Sequence, residues 1–213
     1  MMRLEWGRAS RWLGWVLALA VVLVIFPPFH MQRLQPGDAN LPLVPAGSPD
    51  MRQIAEDFWA RELSSPTIAS IDIRTLVDNP ASVEKQGHTA DLGGRPYYFL
   101  TGRGRVVSVD STGLWLDVGA TGKDAMKVLA LTGPIFGNAL RDATGLLPMG
   151  ALSFTQFNTL SAELDRLAEA RGAAPLRAPV AVGTNITFTA AGEIDDSGAT
   201  PILQLVPVQV TVQ

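Results

Sequence analysis

The chain has 213 residues, 47% of them hydrophobic and 17% charged, which is enough for one well-formed hydrophobic core. It contains no cysteine, so disulfide bonds, thiolate metal sites and cysteine nucleophiles are excluded within this sequence. There are 17 Lys and Arg against 20 Asp and Glu, and four of the basic residues but only one acidic residue precede residue 34. The rest of the chain is therefore acidic, which argues against nucleic-acid binding.

The first predicted element is an uncharged apolar segment, Trp12 to Phe29. Its length is at the short end of the roughly 17 to 25 residues that a membrane-spanning helix needs. Because Arg3, Arg8 and Arg11 precede it, the N-terminus is predicted to be cytoplasmic and the following chain to lie across the membrane. A cleaved signal peptide is the alternative, but "PPFHMQRLQP" offers no small residues at cleavage spacing, so we predict an uncleaved signal anchor.

This segment divides the chain into three predicted parts. Residues 1–33 form a cytoplasmic stub and a transmembrane signal anchor, residues 34–48 a tether, and residues 49–213 a folded body. The tether is rich in proline and glycine and has no hydrophobic periodicity, which is typical of an extended linker. Its leucines and valine leave open that part of it packs on the body.

The body begins with a helical region, residues 49–90. Ser48-Pro49 provides a capping hydroxyl and a proline at the first helical position, so we predict a helix over 49–63. A second helical piece is predicted from Asp72, with a restart at Pro80 and an end before Gly87.

From residue 95 the apolar period changes from that of helices to that of strands. Three strands are predicted in "PYYFLTGRGRVVSVDSTG", "LWLDVG" and "AMKVLALTG", and two more close the chain in "TNITFTAAGEI" and "PILQLVPVQVTV". Between these groups lie a predicted short helix over Ile135 to Ala143 and a longer one, opened by a capping box at Ser153 to Gln156 and ending near Arg171-Gly172. The predicted fold class is α+β, with residues 95–213 forming a five-stranded barrel of the oligonucleotide/oligosaccharide-binding type (OB-fold), its helices inserted before the last two strands.

Several of these segments also carry a resemblance to a known family. "EDFWARELSSPTI", "LTGPIFGNALRDATG", "SFTQFNTL" and "ATPILQLVPVQV" occur in this order in the bacterial predicted periplasmic lipoproteins catalogued as domain of unknown function 2291. The run Gly133 to Ala143 is the most specific element of this resemblance, which covers roughly residues 50–212. It implies a cell-envelope protein often encoded beside sugar ABC transporters. The lipid-bearing cysteine of such lipoproteins is absent here.

The same run contains the candidate binding site. Gly133 ends a predicted strand, and the free amides that follow suit an anion. Asn138, Arg141 and Asp142 carry groups that suit sugar hydroxyls. The structural alternative is that the glycines permit tight packing of helix on strand, while Arg141 and Asp142 pair locally. Both interpretations stay open at this point, and the structural one is preferred.

Other motifs indicate no enzyme. "TGRGRVV" leads into a strand rather than a helix, and "GATGKD" lacks the residues of a phosphate-binding loop. His88 is the only histidine of the body, no nucleophile motif accompanies it, and no metal or cofactor is expected. Trp59, Trp115, Phe154 and Phe157 suit stacking on sugar rings, although their helical and strand spacing is more typical of core residues.

These observations lead to a ranked functional expectation. We expect a non-enzymatic accessory or binding module, anchored in the bacterial inner membrane through residues 12–29 with its C-terminal domain in the periplasm. Sugar ABC transporter components are the expected partners. The alternatives are a structural envelope protein that binds protein or peptidoglycan and, last, a hydrolase with an unrecognised site.

Overall fold

The computed structural model describes residues 50–89, 94–120, 126–147 and 152–213. They belong to one compact unit, Pro49–Gln213. The predicted anchor, Trp12 to Phe29, and the tether over 34–48 lie outside the described residues. Within the described ranges, no helix is long and apolar enough to cross a membrane.

The first helix, α1, comprises Met51–Phe58 and continues as a π-helical turn, Trp59–Leu63. Its N-cap is Asp50, whose carboxylate accepts a hydrogen bond of 2.9 Å from the backbone N–H of Arg52. The helix predicted over 49–63 is thus confirmed for its described part. Its cap, however, is Asp50 rather than the predicted Ser48-Pro49, because a carboxylate two residues later satisfies the free amides.

The second helical piece is confirmed as three short elements. Helix α2 is Ile73–Asp78 with Asp72 as its N-cap, α3 is Pro80–Val83, and a 3₁₀ turn, Glu84–Gln86, ends before Gly87. The structure adds a two-residue strand, β1 (Ile71–Asp72), which was not predicted and which pairs in parallel with the next strand.

The five predicted barrel strands are all present. They are β2 (Tyr97–Val109), β3 (Gly113–Asp117), β4 (Lys127–Leu131), β5 (Asn185–Asp195) and β6 (Ile202–Val212). Strands β2, β3 and β4 form an antiparallel meander, β4 pairs in parallel with β6, and β6 pairs antiparallel with β5. Pairing of β2 with β5 from Tyr97↔Glu193 to Arg105↔Asn185 closes the barrel.

The helical insertion between β4 and β5 differs from the prediction at its start. The helix predicted over Ile135 to Ala143 is wrong in extent, because only one turn, α4 (Ala139–Asp142), is helical. Gly137, at φ 127°, interrupts the helical backbone before that turn. The next helix, α5 (Phe154–Leu167), has the predicted Ser153–Gln156 capping box and ends in a π-helical turn, Ala168–Gly172. A further turn, α6 (Ala174–Arg177), was not predicted.

Two hydrophobic cores hold these layers together. One fills the barrel interior, where Leu100, Val106 and Leu203 are almost fully buried and α2 contributes Ile73 and Leu76. The other lies between the outside of the barrel and helices α1 and α5, and it includes Phe58, Phe99, Leu160, Leu164 and Val206. The helices therefore cover only part of the outer barrel surface: Phe99 on β2 is buried, whereas Arg103, Arg105 and Val107 further along the strand are exposed.

Candidate functional site

The predicted site residues lie in the corner segment, residues 133–143, which joins β4 to α4 and runs along α5. Gly133 follows β4 and donates its N–H to the carbonyl of Thr112 at 3.4 Å. Asn138 begins α4, and its side-chain oxygen accepts a hydrogen bond of 3.2 Å from the Ser161 hydroxyl of α5. The structure thus attaches both residues to neighbouring elements.

Arg141 and Asp142 are buried and paired with each other. Their side chains are each 3% exposed, and two parallel hydrogen bonds of 2.5 and 2.8 Å join the guanidinium to the carboxylate. Arg141 also donates to the Ser161 hydroxyl at 3.1 Å, and its guanidinium lies 4.1 Å from the centre of the Phe157 ring. Because a buried charge without a partner is costly, each of the two charged groups depends on the other for its burial. The Phe157 ring adds a cation–π contact to the guanidinium.

Two acidic residues, one on α5 and one on the π-helical turn that follows it, hold the first half of the corner segment. Glu169 accepts the Ile135 N–H at 2.8 Å, and Asp165 accepts the Gly137 N–H. The pKa of the Asp165 carboxyl is raised to about 7: burial is the largest cause, Glu169 also raises the pKa, and the Gly137 hydrogen bond and Arg141 partly offset these effects. Ser161, Asp165 and Glu169 follow each other at four-residue spacing, so they lie on one face of the helix.

The geometry of the corner segment favours the structural interpretation. Every buried side-chain nitrogen or oxygen atom in the described residues has a hydrogen-bond partner. The charged groups of Arg141 and Asp142 face each other and α5 and are not open to solvent. That Gly133, Asn138, Arg141 and Asp142 bind a ligand stays a prediction.

A different feature, on the outside of the barrel, has the form of a binding groove. A cavity of about 340 Å³ crosses β2, β3 and β4, and its walls include Trp115 and Lys127. We call it the Trp115 groove; its other lining residues are Val107, Ser108, Leu116 and Val128. It therefore combines an aromatic ring, aliphatic side chains, a hydroxyl and an amine, a mixture typical of small-molecule sites.

The orientation of the Trp115 indole is fixed by Asp110 in the turn between β2 and β3. The indole N–H donates to one carboxylate oxygen at 2.6 Å, and the other oxygen accepts backbone N–H groups of Thr112 and Gly113 at 2.8 and 3.1 Å. These hydrogen bonds, first of all the one from Trp115, lower the pKa of Asp110. The carboxylate is thus held ionised and the ring is held in place.

The four aromatic residues singled out from the sequence have different environments. Trp59 and Phe157 are core residues, Phe154 is 82% exposed, and Trp115 is partly exposed. The strand pattern did contain a signal for Trp115, because it alternates with the inward-facing Leu114 and Leu116 and must therefore point outward.

Other candidate chemistry is sparse in the described part of the chain. No group of three or more His, Asp or Glu there is arranged to hold a metal ion. His88 is exposed and pairs its backbone with Tyr97 at 2.7 and 2.8 Å. Asp195 and Asp196, at the turn between β5 and β6, form ion pairs with Arg95 at 3.5 and 2.8 Å.

The strand order and closure described above define an OB-type barrel with a helical insertion. A crystal structure of an OB-fold protein from Thermotoga maritima is similar, with a TM-score of 0.62 and 19% identity over 78% of this chain and 99% of that one. At this identity the similarity shows the fold alone. The predicted five-stranded OB-like barrel is thereby confirmed.

The family is shown by a sequence model. The model described as predicted periplasmic lipoprotein, domain of unknown function 2291, matches residues 20–211. The chain therefore belongs to this family, as the resemblance implied. A search of curated proteins finds no match to the chain. Because the 213 residues include no cysteine, they offer no thiol for the acyl chain of a lipoprotein.

Proposed function

We propose that this protein is a non-enzymatic binding module of the bacterial periplasm, tethered to the inner membrane by residues 12–29 and working with a sugar ABC transporter. Its family supports the location, and the uncharged segment Trp12 to Phe29 supports the tether. The link to sugar uptake rests on what the family resemblance implies.

The observation that carries the proposal is the Trp115 groove. OB-type barrels bind oligonucleotides and oligosaccharides on the face of their second and third strands. Here those strands are β3 and β4, and the groove lies across them. An acidic body disfavours the nucleic-acid alternative, whereas a fixed indole beside a hydroxyl and an amine suits a sugar ring, which has an apolar face and a polar edge.

The tether gives this arrangement its mechanism. A module held at the membrane has a high effective concentration near a transporter in the same membrane, so even weak contacts become productive. The module would then retain or present the sugar at the transporter entrance. No bond-breaking chemistry is required of it.

A binding experiment on the full-length chain in detergent tests the proposal. Neutral mono- and disaccharides are titrated by calorimetry into the wild type, into Trp115→Ala and into Phe154→Ala, which removes an exposed aromatic ring away from the groove. We expect at least one sugar to bind the wild type and Phe154→Ala equally, and Trp115→Ala to bind about tenfold or more weakly, as loss of a stacking contact implies. Equal binding by all three, or binding by none, contradicts the proposal.

A second candidate function is a structural envelope protein that binds protein or peptidoglycan. It is favoured by Phe136 and Phe154, which are 85% and 82% exposed on the helical insertion, since exposed aromatic residues are enriched at interfaces. Co-sedimentation of the full-length chain with purified peptidoglycan, lost in the double variant Phe136→Ser with Phe154→Ser, would support it. Co-purification with transporter subunits from native membranes would instead support the first function.

A further inference from the structure

A second groove lies on the outer barrel surface, away from Trp115. Its volume is about 420 Å³, and it lies where β1 and α2 meet strands β2 and β5. We call it the arginine groove; its polar lining consists of Asp72, Arg74, Thr101, Arg103 and Thr187.

The groove owes its shape to a glycine. A Cβ atom on Gly102 would lie 2.3 Å from the Cγ2 atom of Ile73, so only glycine lets the start of α2 pack this closely on β2. Gly102 faces the barrel interior, and its neighbours Thr101 and Arg103 therefore face outward. Arg103 lies directly opposite Thr187 of β5 in the strand register.

One of the two arginines is held in place by the fold. The Nε atom of Arg74 donates to the Val118 carbonyl at 2.8 Å, and within the described part of the chain its two terminal nitrogens make no hydrogen bond. Gly119, at φ 73°, lies against the guanidinium, where a Cβ atom would be 2.9 Å from Nη2. The backbone at the end of β3 is therefore shaped around Arg74.

Neither arginine of the groove forms an ion pair within the described residues, although the Asp72 carboxylate also lines the groove. Among the residues that the structure describes, neither Arg74 nor Arg103 has a carboxylate within 4.0 Å, and Arg103 is exposed. Other exposed arginines, such as Arg95, Arg166 and Arg171, do form ion pairs. In an acidic body, two unpaired guanidinium groups that line one cavity suit an anion, because they donate hydrogen bonds to carboxylate or phosphate oxygens.

Asp72 adds a second requirement. Its carboxylate caps α2 by accepting the Arg74 N–H at 2.9 Å, and it lines the same groove. A negative charge here disfavours a bare inorganic anion. The carboxylate and the hydroxyls of Thr101 and Thr187 do, however, suit the hydroxyl groups of a ligand.

We propose that the arginine groove binds an acidic sugar, that is, a carbohydrate with one carboxylate or phosphate group. Arg74 and Arg103 hold the anionic group, while Asp72 and the two threonines hold sugar hydroxyls. This site is separate from the Trp115 groove and does not depend on it. Binding here is therefore expected to persist in Trp115→Ala.

Calorimetry on the full-length chain in detergent at low salt tests this site. Glucuronate and glucose 6-phosphate distinguish a carboxylate from a phosphate ligand, while glucose and inorganic phosphate each present only half of the proposed ligand. We expect one of the two acidic sugars to bind at least about tenfold more tightly than glucose and inorganic phosphate, and its affinity to fall as salt is added. Absence of binding by both acidic sugars, or equal binding of glucose, would overturn the assignment.

Variants locate the binding. Arg103→Gln is expected to weaken binding of the acidic sugar by about tenfold or more. Arg61→Gln is the control: it changes an arginine with a 75% exposed side chain on another element and should leave the affinity unchanged. Asp72→Asn keeps a good helix cap and removes the charge, so it should increase affinity for inorganic phosphate and reduce the preference for the sugar. Equal affinity in wild type and Arg103→Gln would place the ligand elsewhere and reject the proposal.

Discussion

At the scale of single residues, the dominant feature is the set of buried polar side chains between the corner segment and α5. Arg141, Asp142, Ser161 and Asp165 are each less than 9% exposed, yet each has a hydrogen-bond partner. Burial of such groups is costly unless their hydrogen bonds are satisfied, so the network fixes one arrangement of the segment on α5. The functional consequence is a rigid connection between the barrel and its helical layer.

Asp165 makes the stability of the protein depend on pH. Its pKa is about 7 in the folded protein and 3.8 ordinarily, so between about pH 4 and 7 the folded state binds a proton that the unfolded state has released. The free energy of unfolding therefore falls as pH rises through this window. The expected fall is about 1–2 kcal/mol, which is less than the full pKa difference implies, because solvent near the carboxyl screens its charge. Asp165→Asn, which keeps an acceptor for the Gly137 N–H, is expected to remove this fall.

Urea unfolding at a series of pH values measures the effect. Asp57→Asn, a change to an exposed carboxylate of α1, is the control and should follow the wild-type curve. If Asp165→Asn has the same pH slope as the wild type, the buried Asp165 is not the responsible group.

The Arg141–Asp142 pair supports a second residue-scale prediction. Asp142→Ala leaves a buried guanidinium without its partner and is expected to reduce the free energy of unfolding by about 3–5 kcal/mol. Asp57→Ala, at an exposed ion pair of 4.0 Å, should change it by less than about 1 kcal/mol. The double change Arg141→Met with Asp142→Leu should recover much of the loss, since it removes both charges together. Unaltered stability in Asp142→Ala would instead favour a ligand-binding role.

At the scale of elements, strands and long helices were predictable because their periodicity is local. The capping box at Ser153 and the alternation in β5 are examples. The extent of α4 was not predictable in this way. Gly137, whose backbone interrupts the helical conformation, bonds to Asp165 on α5, a contact that local periodicity does not reveal. The row Ser161, Asp165 and Glu169 could have been noticed from its four-residue spacing, but the same spacing is typical of a solvated helix face.

The two grooves were even less accessible to sequence analysis. Strand alternation alone places Trp115 and Arg103 on outward positions, yet each groove is formed with partners on other elements. Lys127 lies on β4, Thr187 on β5 and Arg74 on α2, and these meet only through the barrel register. The candidate site read from one contiguous segment was, by contrast, the one whose groups satisfy each other.

Packing of the helical insertion on the barrel depends on Gly172, at the end of the π-helical turn. A Cβ atom there would lie 1.9 Å from the Pro207 carbonyl oxygen of β6, which is backbone and cannot move aside. Gly172→Ala is therefore expected to lower the free energy of unfolding by about 1–3 kcal/mol. Gly133→Ala is the matched control, because its Cβ would approach no atom nearer than 3.4 Å. Thermal and urea unfolding compare the two, and equal losses would contradict this account.

At the scale of the whole molecule, the helices determine which parts of the barrel are free to bind. They cover Phe99, Ala191 and Val206, and the outer surface beyond this cover contains both grooves.

Limited proteolysis tests the predicted division of the chain. A nonspecific protease applied to the full-length chain is expected to cut first within residues 34–48, because extended proline-rich linkers are accessible. Mass spectrometry should then show a resistant fragment that begins between residues 34 and 50 and ends at Gln213. A first cut inside the barrel strands would show that residues 49–213 are not one stable body.

Closure of the barrel has a consequence beyond ligand binding. The nine-residue pairing of β2 with β5 occupies strand positions that an open sheet would leave as an edge. Unpaired edges are templates on which a neighbouring molecule can add a strand and start an aggregate. In the membrane-tethered arrangement proposed above, neighbouring molecules would be concentrated at one surface, and a closed ring of strands would offer them fewer such positions to extend.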